Sequence, residues 1–120
     1  MKKGIVFPKG RGIPYVVDVP DEIDCEWMSK TIGCEWVEIV RPKRLPACFA
    51  MIVDEEGLLK DNVLNPVGSW FYETDKHGDP SVGDVLILKE EFGPDGPELA
   101  GMTDYEIDKV FNSVGKKVRK

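Results

Sequence analysis

Arg41, Lys43 and Arg44 stand together in the middle of a chain that is otherwise acidic. Pro42 and Pro46 stiffen the segment that carries them. A forked guanidinium matches phosphate geometry, so the cluster suits the phosphates of a small nucleotide. The same residues also suit a charged edge that keeps strands of neighbouring molecules from pairing. Trp36, Tyr72 and His77 are the aromatic groups available to stack on a base, whereas Trp70 fits a core position better. Carboxylates form a second set. Asp54, Glu55 and Glu56 follow an apolar run, and Asp75 and Asp79 lie in a later polar stretch. Together they offer an acidic surface to a basic protein. Grouped carboxylates at a strand end also suit Mg²⁺ or acid–base work, although Asp-Glu-Glu-Gly is ordinary turn chemistry.

Other constellations are weaker. Lys9-Gly10-Arg11-Gly12 can bring backbone N–H groups and two cations to an anion, but it departs from both the dinucleotide fingerprint and the phosphate-loop pattern. His77 is the sole histidine, and no serine or cysteine sits in a nucleophile signature. Cys25, Cys34 and Cys48 are odd in number and contain no C-x-x-C pair, which argues against a disulfide framework and a zinc site. Buried or half-buried free thiols are expected. The sequence therefore points to a non-enzymatic protein with no catalytic residue, metal or cofactor.

Charge is unevenly spread over the 120 residues. Lys2, Lys3, Lys9 and Arg11 mark a basic N-terminal segment, 1–12, and Lys116, Lys117, Arg119 and Lys120 a basic tail, 116–120. Between them 8 basic residues face 22 acidic ones, a net charge of −14. So acidic a body repels nucleic-acid phosphates, which argues against direct nucleic-acid binding. No apolar run reaches the roughly 20 residues of a membrane helix, and the apolar start at Ile5 stops at Pro8. A cytoplasmic single domain over 1–120 is expected, with an oligomer interface as a natural place for a pocket.

The elements that must position these residues follow from periodicity. Strands are expected at Ile5–Phe7, Ile13–Val19, Trp36–Val40, Ala47–Val53 and Val85–Leu88. The unbroken apolar run from Ala47 predicts a central strand covered on both faces. Helices are expected from Asp21 to Gly33, from Pro66 to about Glu73 behind an Asn65 cap, and from Thr103 to Gly115. In the last, Thr103-Asp104-Tyr105-Glu106 has capping-box spacing, and Ile107, Val110, Phe111 and Val114 share one face. The segment from Phe92 to Pro97 reads as a loop. The sum is an α+β domain, one mostly antiparallel sheet with about three short helices.

The run Ile52-Val53-Asp54-Glu55-Glu56-Gly57-Leu58-Leu59, then Asn65-Pro66, Gly78-Asp79-Pro80 and Val82-Gly83-Asp84-Val85-Leu86-Ile87-Leu88, resembles a domain-of-unknown-function family common in phages, plasmids and conjugative elements. Gly33 before the strand from Glu35, and the Thr103 helix start, fit the same pattern, which spans about residues 13–114. The resemblance implies a mobile-element setting inside a bacterium and no particular activity. By analogy with small anti-defence proteins, the expected function is sequestration of a nucleotide signal by Arg41, Lys43, Arg44, Trp36, Tyr72 and His77. The alternative is an acidic inhibitor of a host protein, acting through Asp54, Glu55, Glu56, Asp75 and Asp79.

Overall fold

The computed structural model describes residues 2–10, 13–41, 44–45, 48–55, 65 and 83–118, with side chains through 113. Its centre is the pair of strands that the sequence marks as most apolar. Strand β4 (Phe49–Asp54) is buried from Phe49 through Ile52, and β5 (Val85–Gly93) is buried from Val85 through Leu88. They pair antiparallel with Met51 opposite Ile87. β1 (Lys3–Phe7) lies on the other side of β5, and β2 (Tyr15–Asp18) beside it. β3 (Val37–Val40) flanks β4. The sheet order is β2-β1-β5-β4-β3, and β6 (Gly96–Ala100) pairs with the far half of β5. Every pairing is antiparallel. The expected α+β fold with one antiparallel sheet is thus observed.

Strand alternation divides the core in two. Ile5, Phe7, Phe49, Met51, Val85 and Ile87 point to one face, where Met102, Ile107 and Val110 of the C-terminal region cover them. Val6, Ile52, Leu86 and Leu88 point to the other, under Met28 and Ile32. Helix α1 (Cys25–Ile32) therefore packs on one face and helix α2 (Asp104–Val118) on the opposite one. Among the described residues these are the two helices. The expected helix from Pro66 to Glu73, with Val67, Trp70 and Phe71, lies outside those residues.

Several boundaries differ from expectation. α1 begins four residues later than Asp21 because Asp24 is the residue in cap geometry, its Oδ1 accepting the Trp27 N–H at 2.8 Å. Gly33 closes it at φ 70°, as expected. α2 runs through Gly115 to Val118, since one interior glycine costs a helix only about 1 kcal/mol. The loop expected over Phe92–Pro97 is a hairpin: Phe92 pairs with Pro97 and Gly93 with Gly96. Proline is tolerated in β6 because an edge strand can spare an N–H. Two of the three thiols are exposed rather than buried, Cys25 on α1 and Cys48 ahead of β4, while Cys34 is half-buried.

Candidate functional site

The described candidate residues lie mostly at the ends of β3 and β4, and the register of the two strands separates them into two groups. Val37 faces Asp54 and Val40 faces Met51. Trp36 enters β3, Arg41 leaves it, and five strand steps put them roughly 16 Å apart. The structure does not bring them together.

At the Arg41 end the chemistry is an ion pair. The Arg41 Nε donates to Glu90 Oε1 at 2.7 Å, and Nη2 donates to Glu90 Oε2, so the guanidinium grips the carboxylate with two donors. Glu90 is held in place by β5, where its N–H donates to the Cys48 carbonyl at 2.8 Å. Its side chain is only 10% exposed against 53% for Arg41. Arg41 therefore serves as the cover that neutralises a half-buried carboxylate. The hydrogen bond from Arg41 holds the Glu90 carboxyl below its ordinary value, against the opposing push of burial. The same bond raises Arg41. Arg44 is half-buried, and Leu45 beside it is buried in the core. Lys43 lies outside the described residues.

At the Trp36 end an aromatic side chain stands among acids. Trp36 is 60% exposed, while its carbonyl accepts the Glu55 N–H at 3.0 Å, which fixes the backbone on which it stands. Glu35, Glu38 and Glu55 are exposed and Asp54 is half-buried. Glu38 shares the Trp36 side of β3 by alternation. Glu35 and Glu38 were not singled out by the sequence, although the spacing Glu-Trp-x-Glu at a strand entry carries the signal. Tyr72, His77, Glu56, Asp75 and Asp79 lie outside the described residues. So do Arg11 and Gly12 of the glycine loop, whose Lys9 N–H donates to Asp84 Oδ1 at 2.9 Å.

Among the described residues no three His, Cys, Asp or Glu side chains converge to hold a metal ion, and no helix is long and apolar enough to cross a membrane. The two ends thus differ in chemistry: a carboxylate neutralised by Arg41 at one, an exposed indole at the other, on a backbone that Glu55 holds. No curated protein and no solved structure gives a match to the chain. A family model does match it, over residues 1–115, and the protein belongs to the family described as Domain of unknown function (DUF3846).

Proposed function

We propose that the protein is a non-enzymatic binding domain whose partner is a basic protein surface, docked on Trp36 and the carboxylates around it. The observation that carries this is the exposure of Trp36 at a strand entry whose backbone is pinned by Glu55. An indole held on a rigid element is the kind of side chain that dominates binding energy at protein interfaces. Glu35, Glu38, Asp54 and Glu55 supply a single sign of charge near it, which steers a cationic partner and suppresses acidic ones. If the chain works inside a bacterium on behalf of a mobile element, that partner is a host protein.

Sequestration of a nucleotide is the competing function. It draws on Arg41, yet that residue would have to leave Glu90, and a base on Trp36 would sit a strand length away. Thermal unfolding against a panel of linear and cyclic nucleotides separates the two. A ligand at a hundred times its dissociation constant adds about 2.7 kcal/mol of stability, a shift of several degrees for a domain of this size. We expect no such shift. A shift that disappears in Arg41→Glu would instead establish the anionic-ligand function and overturn the docking one.

A further inference from the structure

A second feature lies away from Trp36, at the end of the sheet where Arg41 emerges. The chain entering β1, the connection from β2 towards α1, and the β5–β6 hairpin enclose a surface cleft of about 560 Å³. Val19, Pro20, Ile23, Leu99 and Ala100 supply apolar wall. Asp21, Glu91 and Glu98 supply carboxylates, and Lys2 is the one cation of the lining. Glu91 and Glu98 face each other directly across the β5–β6 pairing, an arrangement in which like charges repel. Lys89 approaches Glu91 at 3.5 Å but makes its closer pair with Glu106, at 2.8 Å.

We propose that this cleft takes a peptide segment bearing arginine. The volume lies within the range of binding clefts, and a cleft this open to solvent suits a chain laid along it rather than an enclosed small molecule. An arginine stem packs on Val19, Ile23 and Leu99 while its head reaches carboxylate, which is how a long cationic side chain divides itself between apolar surface and charge. Guanidinium suits this lining better than ammonium does, because its five N–H donors spread over a planar fork that pairs with carboxylate through two bonds. The three acids do not converge as metal ligands. The occupant is therefore an organic cation with an apolar stem.

The test is fluorescence anisotropy with a labelled peptide of alternating arginine and leucine, against wild type, the double variant Glu91→Gln/Glu98→Gln, and Trp36→Ala. The double variant removes a like-charge repulsion and is expected to fold at least as well as wild type, which thermal unfolding verifies. Binding by wild type, weakened about tenfold in the double variant, unchanged in Trp36→Ala and lost when the arginines are replaced by glutamine, supports the cleft. No binding by wild type overturns the proposal. So does equal binding by the double variant, and a loss confined to Trp36→Ala places the peptide at the other end of β3.

Discussion

Asn65 is fully buried, and its Nδ2 donates to the Phe7 and Gly83 carbonyls, each at 2.8 Å. One side chain thereby ties the end of β1 to the residue that leads into β5. Removing it takes one hydrogen bond from each of two buried carbonyls, and such a bond contributes about 0.5–1.5 kcal/mol. Asn65→Ala is expected to destabilise by roughly 1–3 kcal/mol, read as a fall in midpoint during chemical denaturation. Arg41 has a similar fixed duty. Because it shields a carboxylate that is mostly covered, Arg41→Ala should destabilise more than the double change Arg41→Ala with Glu90→Gln, in which no charge is left uncompensated. Equal losses would mean that the pair is as loose as an ordinary exposed one.

The start of α2 closes a reciprocal set of bonds. The Thr103 N–H donates to Glu106 Oε1 at 3.0 Å, and the Glu106 N–H donates to Thr103 Oγ1 at 3.3 Å. Lys89 of β5 holds the other Glu106 oxygen at 2.8 Å, so the cap also fastens helix to sheet. Thr103→Ala should cost about 1 kcal/mol. Glu106→Ala should cost more, and a double-mutant cycle with Lys89→Ala measures the share that belongs to the sheet contact. This helix was legible in the sequence because its signals are local: a capping box, then apolar residues three and four apart. β4 and the first half of β5 were legible because burial on both faces removes polar residues from them. The β5–β6 hairpin was hidden by Pro94 and Pro97, which read as loop until pairing with β5 is known. The sequence puts the start of α1 four residues early because Asp21 suits the positive end of a helix, whereas the cap that sets the start is Asp24, which accepts the Trp27 N–H. The candidate sites were less legible still. Arg41 looked like a phosphate ligand because Glu90, 49 residues away, is its partner only in the fold.

For the molecule as a whole, two depressed carboxyls link stability to acid. Arg41 lowers Glu90. Burial alone would raise Glu106, but Lys89 and the Thr103 backbone and hydroxyl together hold it below its ordinary value. A carboxyl with a lower value folded than unfolded contributes its full stability above the unfolded value of about 4.5 and loses it as pH falls through the folded one. Unfolding free energy should therefore decline below about pH 4.5, and the decline should be shallower in Arg41→Ala. Urea titrations across that range check both slopes. The close approach of backbones where β6 turns towards α2 gives one more global constraint. A Cβ at residue 101 would overlap the Lys2 Cβ, so Gly101→Ala must push the β1 entry and the cleft apart.

The docking function at Trp36 stands or falls on what the folded protein captures. Immobilised wild type, Arg41→Ala and Trp36→Ala would be exposed side by side to bacterial lysate at low and high salt, and the retained proteins identified by mass. One basic protein is expected on wild type and Arg41→Ala at low salt, absent from Trp36→Ala and released by high salt. The same protein retained equally by Trp36→Ala would contradict the assignment of this end of β3 as the interface.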